Sequence, residues 1–398
     1  MITIRIGRRA ALAGGVAALA SPAVVRAQAD PIKLATLTPL TGAGGPYGPV
    51  MAKAAAAVVE EVNKAGGVLG RRIVLVSEDD QTNPEAAVRA ARKLIDVDKV
   101  SAIMGTWASA VTTAVAPLCW ESKTFLCTVS GADSITLLPH QGFLIRTQPN
   151  SRLQVTRVGE FILSLGAKKA FTMIPQTPFT QSTFDIQNQV LPKGGCTHQS
   201  LIYDDKKTTY RTEVDQALRT SPDVILANGY TPDTVVLLKD LYRAGFKGKI
   251  LGFAYSINQK LIDQVGQPEV VEGVYTYAPS VAEGSPALER VKKMSGLASP
   301  DPYTSQVYDH TNLVLMSMAL GKAATGEAIK ENIRKVTQGG GKQVDNAVDG
   351  LKAITAGEKV DYAGASGPCD FDDKGDILDC KFRYEQIKGG KFVLVKIA

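Results

Sequence analysis

The chain alternates short apolar runs with longer amphipathic runs, and this alternation constrains the fold more than any other sequence feature. Residues 32–37 predict a strand, and the Ala-rich run at residues 50–64 predicts the helix that follows it. The same order continues with predicted strands at 72–78, 100–104 and 124–127 and predicted helices at 84–97 and 109–121. An alternating order of this kind favours a parallel sheet covered by helices on both faces.

A second series of the same type begins after residues 147–150. Its predicted strands are 170–174, 197–202, 224–227, 250–253 and 271–277, with helices at 210–220 and 233–244. The helix-rich stretches that follow, at 285–294, 305–323 and 327–336, are too few to cover a third sheet. Residues 367–396 predict a terminal hairpin and strand. We therefore expect two similar α/β lobes that are connected more than once, with the last helices packing on the first lobe.

The first 29 residues predict an export signal. Three arginines at positions 5, 8 and 9 precede an apolar run at 10–20, and the segment ends in Ala27-Gln28-Ala29, a small-x-small cleavage pattern. The pair Arg8-Arg9 resembles a twin-arginine signal. A membrane helix is the alternative, although the apolar run is short for a span of about 20 residues. The segment carries four of the 45 basic residues and no acid, so the remaining chain has a net charge of +2 instead of +6. This balance gives no reason to expect a nucleic acid or an anionic membrane as partner.

Motifs for catalysis, metals and cofactors are weak. The three histidines are widely separated, and there is no CxxC, GxSxG, HExxH or SxxK motif. The Gly-rich loop at 38–49 has neither dinucleotide nor P-loop spacing. We expect no enzyme activity, no metal and no cofactor. Cys369 and Cys380 flank the turn at 371–376 at nearly equal distances, which predicts a disulfide, with Cys119–Cys127 as another possible pair.

Candidate ligand contacts follow the predicted strands, since ligands bind beyond the carboxyl ends of strands in doubly wound sheets. Ser109 opens a predicted helix whose free amides could hold a carboxylate, and Ser130 with its turn could add donors. Asp133 is more easily read as a helix cap than as a ligand contact. Aromatic residues, which are more often packing residues than ligand contacts, follow further strands and predict a cleft: Tyr47, Phe179, Tyr230 and Tyr255.

Several motifs resemble those of type I periplasmic solute-binding proteins of the branched-chain amino acid (Leu/Ile/Val-binding) class, found in ABC importers. They are PLTG at 39–42, NKAGGVLG at 63–70, the acidic pair at 79–80 with Asn-Pro at 83–84, and FDDKGD at 371–376. The resemblance covers essentially the whole chain after residue 29. It implies two Rossmann-like lobes joined by a three-segment hinge: residues 30–148 with 280–362, and residues 149–279 with 363–398. It also implies an exported, periplasmic, monomeric protein that delivers a small molecule to a permease and ATPase.

By the same resemblance, Ser109 and the turn at 130–132 would bind the ligand's carboxylate, although Ala132 stands where the family often has Thr. Tyr47, Phe179 and Tyr230 would contact the rest of the ligand. The residues predicted to line the site are Tyr47, Trp107, Ser109, Ser130, Gly131, Ala132, Asp133, Phe179, Tyr230, Ala254 and Tyr255.

One departure from the family pattern concerns the ligand's charge. Amino-acid-binding members usually place an acid near position 254 to pair with the ammonium, but this chain reads Phe253-Ala254-Tyr255. A buried ammonium without a counter-charge is costly. Either another acid, such as Asp133, takes that role, or the ligand has no ammonium. We expect the ligand to be an aromatic or other apolar carboxylate, with an aliphatic branched-chain amino acid or an amide as alternative ligands. The alternative role for the protein is a ligand-sensing module that feeds a receptor.

Overall fold

The structure is a computed structural model, and it describes residues 30–398. The predicted signal peptide at residues 1–29 lies outside the described residues. The first sheet has five parallel strands in the order β2-β1-β3-β4-β5. Its strands are β1 (Ile32–Thr38), β2 (Ile73–Asp79), β3 (Ala102–Thr106), β4 (Phe125–Thr128) and β5 (Leu144–Arg146). Buried apolar residues form one core cluster on each of its faces.

Three helices alternate with these strands, as the pattern predicts. They are α1 (Gly48–Lys64), α2 (Pro84–Arg92) and α3 (Ser109–Glu121). Asn83 caps α2, because its side chain accepts a hydrogen bond from the Ala86 amide at 3.0 Å and Pro84 occupies the first turn. The predicted helix continues to residue 97, and in the structure a π-helix at Lys93–Asp98 continues α2. α3 begins after Ala108, which has no side-chain oxygen to cap it.

The second lobe is built on a seven-stranded sheet in the order β14-β13-β10-β9-β8-β6-β7. Its first five strands are β6 (Lys169–Pro175), β7 (Thr197–Tyr203), β8 (Val224–Ala227), β9 (Lys249–Phe253) and β10 (Tyr275–Pro279). The helices between them are α4 (Ser151–Ser164), α5 (Pro178–Lys193), α6 (Arg211–Leu218), α7 (Thr231–Arg243), α8 (Gln259–Val265) and α9 (Pro268–Val271). β10 begins four residues later than expected, because Pro268 opens the short helix α9 and Gly273 turns the chain with a φ of +79°.

After β10 the chain returns to the first lobe. The returning elements are α10 (Pro286–Ser295), α11 (Pro302–Leu320), α12 (Gly326–Thr337), β11 (Lys342–Val344), α13 (Ala347–Thr355) and β12 (Val360–Tyr362). α11 is buried along almost its whole length, between α1, α12 and α13. β13 (Phe382–Lys388) and β14 (Lys391–Ile397) then form an antiparallel hairpin on the edge of the second sheet.

Three segments connect the two lobes, at residues 147–150, 280–285 and 378–381. The predicted α/β class with two largely parallel lobes is therefore confirmed. The stretch from 363 to 377, which the sequence analysis assigns to the second lobe, instead packs with the first. Cys369, Phe371 and Ile377 share a core cluster with Ile32, and Asp376 bridges to Arg146 at the end of β5. The chain joins the second sheet only at Phe382, where β13 begins.

The predicted Cys369–Cys380 disulfide is wrong, since all five cysteines are free thiols. The turn between the two cysteines packs against β5, where the Arg146 amide donates to the Gly375 carbonyl at 2.9 Å. Its base pairs antiparallel, since Phe371 bridges Ile377 and the Leu378 amide donates to the Asp370 carbonyl at 2.9 Å, and this register sets Cys369 opposite Asp379 instead of Cys380. Cys369 is buried in the core cluster of the first lobe that contains Ile32, with its Sγ 3.7 Å from the Gly367 carbonyl oxygen. The Cys380 Sγ lies instead 3.1 Å from the Lys381 oxygen.

Among residues 30–398, no helix combines the length and the apolarity needed to cross a membrane.

Candidate functional site

The candidate site is a cavity of about 480 Å³ between the lobes, at the carboxyl ends of β3, β4, β6, β8 and β9. Both lobes contribute, with Trp107, Ser109 and Gly131 on one side and Phe179, Asn228 and Tyr230 on the other. The site therefore depends on the two lobes coming together.

Aromatic rings form much of the cavity wall. The Trp107 ring, only 7% exposed, lies 5.9 Å from Tyr230, 5.8 Å from Tyr255 and 5.8 Å from Tyr303 (centroid distances). Phe179 lies 6.2 Å from the Tyr255 ring. Tilted and edge-to-face rings at these distances attract each other, and they present flat apolar surface to a ligand.

The lobes also meet through direct polar contacts. The Tyr47 hydroxyl of the first lobe accepts a hydrogen bond from Asn258 Nδ2 at 2.9 Å and donates to the Ala254 carbonyl at 3.4 Å. Gly131 is required by close approach, since a Cβ there would lie 2.6 Å from Phe179 Cε2 and 2.7 Å from Gln154 Nε2. These contacts describe a closed arrangement of the lobes.

The first-lobe side offers hydrogen-bond donors. α3 starts at the cavity, and its first backbone amides have no partner within the helix. No side chain caps them either. Ser109 Oγ accepts from the Ala132 amide at 3.2 Å, which leaves its hydroxyl hydrogen available to a ligand. A helix N-terminus with a serine hydroxyl is suited to an anion such as a carboxylate.

Ser130, in contrast, stabilises the turn through hydrogen bonds within the first lobe. Its hydroxyl donates to the Trp107 carbonyl at 2.8 Å, and its amide donates to Thr128 Oγ1 at 3.1 Å. The buried Arg146 guanidinium holds the turn from below, donating to the Ala132 carbonyl at 2.7 Å and pairing with Asp376. The turn is therefore fixed before any ligand arrives.

No formally charged side chain is among the described residues that line the cavity. Asp133 lies outside this lining, and its Oδ1 accepts from the Arg152 amide at 3.2 Å at the start of α4. Asp233 lies against Gly229, with its Oδ2 accepting from the Tyr203 hydroxyl at 2.6 Å. Burial raises the pKa of Asp233 to about 6, although the Tyr203 hydrogen bond opposes that rise. The described residues also contain no group of side chains that could hold a metal ion.

A family model described as "Periplasmic binding protein" matches residues 31–391 of this chain. The chain belongs to this family. It is 24% identical over 328 residues to an amino acid binding protein of Pseudomonas aeruginosa, an alignment that covers 79% of this chain and 86% of the relative.

Solved structures agree with this assignment. The leucine binding protein LivK of Thermotoga maritima is 23% identical with a TM-score of 0.79, covering 92% of this chain and 98% of that one. An ABC transporter solute binding protein of R. palustris, solved with benzoate, is 18% identical with a TM-score of 0.73, covering 92% and 96%. The resemblance to type I periplasmic binding proteins of the branched-chain amino acid class is confirmed.

In this periplasmic binding protein, six of the predicted site residues line the cavity: Trp107, Ser109, Gly131, Phe179, Tyr230 and Tyr255. Two others, Tyr47 and Ala254, line an adjoining cavity of about 870 Å³ beside the hinge. Ser130, Ala132 and Asp133 are outside both sets of lining residues.

Sequence reasoning missed several residues that the fold brings to the cavity: Gln148, Gln154, Asn228, Phe253 and Tyr303. Asn228 and Phe253 could have been predicted from the sequence, since both lie at the ends of predicted strands. Tyr303 was not, because α11 reaches the cleft only through its packing against the first lobe.

Proposed function

We propose that this periplasmic binding protein is the extracytoplasmic substrate-binding component of an ABC importer, and that it captures a small aromatic or other apolar carboxylate by hinge closure. The absence of charged side chains from the described cavity lining carries this proposal. An amino acid would place its ammonium in this neutral cavity, at a cost of several kcal/mol. A carboxylate without an ammonium avoids that cost.

The two sides of the cavity support a defined binding mode. The amides at the start of α3 and the Ser109 hydroxyl would receive the carboxylate. The rings of Trp107, Phe179 and Tyr230 would then enclose the apolar body. The ligand would bind the first lobe, and closure would be favoured by contacts that exist only when the second lobe is in place.

The partners and location follow from the same proposal. A membrane permease and its ATPase would receive the ligand, and residues 1–29 would direct export to the periplasm. The R. palustris relative solved with benzoate supports an aromatic acid, whereas LivK supports the alternative of a branched-chain amino acid.

A thermal-unfolding screen of the chain from Asp30 onward distinguishes the ligand classes. A ligand at 100 times its Kd adds about 2.7 kcal/mol of stability. We expect benzoate or cinnamate to raise Tm, and leucine, isoleucine and benzamide to leave it unchanged. The proposed ligand class is wrong if leucine raises Tm and no aromatic acid does so.

A serine variant tests the binding mode. Ser109→Ala removes a hydrogen bond to a charged group, so carboxylate affinity should fall roughly 10- to 100-fold in calorimetry. Ser134→Ala, at an exposed serine of the same lobe, is the matched control and should leave Kd unchanged. Equal affinities for the two variants would reject the role of Ser109.

A further inference from the structure

Asn228 occupies a distinct position in the cavity wall. It follows β8 directly in the second lobe, and its side chain is 1% exposed while lining the cavity. Its backbone amide donates to the Met173 carbonyl at 3.2 Å, which fixes the residue to the neighbouring strand β6. The side-chain amide is therefore held in place by the sheet.

The Asn228 side chain has one satisfied end and one free end. The Tyr277 hydroxyl donates to Asn228 Oδ1 at 3.3 Å, and Tyr277 is itself buried in β10. Asn228 Nδ2 has no hydrogen-bond partner. Among the described residues of the cavity lining, it is the only side-chain nitrogen or oxygen that is both shielded from solvent and unpartnered. A buried donor without an acceptor is unfavourable, so this site is suited to a ligand that supplies one.

Neighbouring polar groups are already engaged. Thr177 and Thr180 satisfy each other in the capping box of α5. Gln154 donates to the Pro149 carbonyl at 2.6 Å and accepts from Gln148. These side chains therefore do not compete with a ligand oxygen for Asn228 Nδ2.

From this geometry we infer that Asn228 is a specificity-determining residue, which donates to an acceptor oxygen carried by the ligand away from its carboxylate. The inference rests on the proposed function and narrows its ligand class. With the carboxylate held at Ser109 in the first lobe, the second oxygen would meet the second lobe. The favoured ligands are aromatic acids with an ether, carbonyl or hydroxyl oxygen on the ring.

Matched ligand pairs test this inference by calorimetry. The probes are 4-methoxybenzoate against 4-ethylbenzoate, and 3-methoxybenzoate against 3-ethylbenzoate, with unsubstituted benzoate as reference. Each pair has nearly the same size, and its members differ by one acceptor oxygen. We expect the methoxy member of at least one pair to bind wild-type protein about 10-fold more tightly.

Two variants assign the preference to Asn228. Asn228→Leu keeps the size of the side chain without the donor, and Asn228→Asp keeps its shape while replacing the donor with an acceptor. In either variant the methoxy preference should disappear, because the donor that distinguishes the two members of a pair is gone. Asn188→Leu, at an exposed asparagine of α5, is the control and should keep the preference.

The outcomes separate the two proposals. If benzoate binds but neither pair shows a preference in wild-type protein, the inference is overturned and the proposed function stands. The same holds if both Asn228 variants keep the preference. If leucine binds and neither cinnamate, benzoate nor any substituted benzoate does, the proposed ligand class is overturned and the inference with it; if cinnamate alone binds, the inference is overturned and the proposed ligand class stands.

Discussion

Removal of the Arg146 side chain should destabilise the protein far more than removal of an exposed arginine. The Arg146 side chain is fully buried and forms an ion pair with Asp376. It also donates to the Ala132 carbonyl at 2.7 Å and to Thr136 Oγ1 at 2.9 Å. Asp376 in turn accepts from Asn150 Nδ2 at 3.0 Å, so the network joins the binding turn to the first hinge segment.

Arg146→Met removes the charge and the donors but keeps much of the apolar volume. Asp376, which is 7% exposed, then loses its counter-charge, and the Ala132 carbonyl loses its donor. Breaking a buried ion pair on one side costs about 3–5 kcal/mol. This is a large share of a typical unfolding free energy of about 5–15 kcal/mol. The double variant Arg146→Met/Asp376→Leu should be more stable than the single variant, because the unpaired charge is gone.

Urea denaturation at pH 7, followed by circular dichroism, measures these differences. Arg243→Met is the control, since Arg243 is 71% exposed and its pair with Asp240 at 3.1 Å should contribute at most about 1 kcal/mol. Burial would raise the pKa of Asp376, but Arg146 and the hydrogen bonds hold it below its usual value. The ion pair therefore stabilises the fold above the unfolded-state pKa of Asp, and the gap between wild type and variant should narrow on acidification. A loss for Arg146→Met no larger than that for Arg243→Met would refute the reasoning.

Two further predictions concern the lobe contact and the effect of pH. Tyr47→Phe removes the hydrogen bond that Asn258 Nδ2 donates to the Tyr47 hydroxyl at 2.9 Å, but Asn258 Nδ2 still has two other acceptors, Thr231 Oγ1 and the Tyr255 carbonyl. Ligand affinity measured by calorimetry should therefore fall only about fivefold. Tyr242→Phe, at an exposed tyrosine, is the control and should not change the affinity, and equal affinities of the two variants would count against a role for this bond in closure. Burial raises the pKa of the Asp80 carboxyl to about 7. The folded protein therefore holds the Asp80 proton more tightly than the unfolded chain does, and the free energy of unfolding decreases as the pH rises from about 4 to 7. Asp80→Asn should therefore gain about 2 kcal/mol relative to wild type between pH 5 and pH 8 in urea denaturation, and a pH-independent difference would contradict this.

Most of the fold was predictable because the hydrophobic period changes between strand and helix along the chain. The predicted bounds of α3 and β8 agree with the structure at both ends. Local chemistry marked other boundaries equally well, as at Asn83-Pro84, where a cap and a proline begin α2. The predicted start of β10 was wrong where an apolar run served two elements, α9 and then the strand.

The candidate site was predictable in part. Ser109, Phe179 and Tyr230 were found because loops at the carboxyl ends of parallel strands converge on one edge of each sheet. Tyr303 and Gln148 were missed, since they reach the cavity through a returning helix and a hinge segment. The disulfide prediction failed because spacing does not give register: the antiparallel bridge between Phe371 and Ile377 sets Cys369 opposite Asp379, one residue before Cys380.

The sequence by itself determined the two α/β lobes and the lack of an acid near Ala254, because periodicity and residue type are local properties of the chain. Only the tertiary structure decided which polar groups are already satisfied. Ser130, a plausible donor in the sequence, uses both its hydroxyl and its amide within the first lobe. Asn228, which was not among the predicted site residues, lines the cavity and has a buried side-chain donor without a partner. Hydrogen-bond satisfaction depends on partners distant in sequence, and for that reason it becomes visible only once the chain is folded.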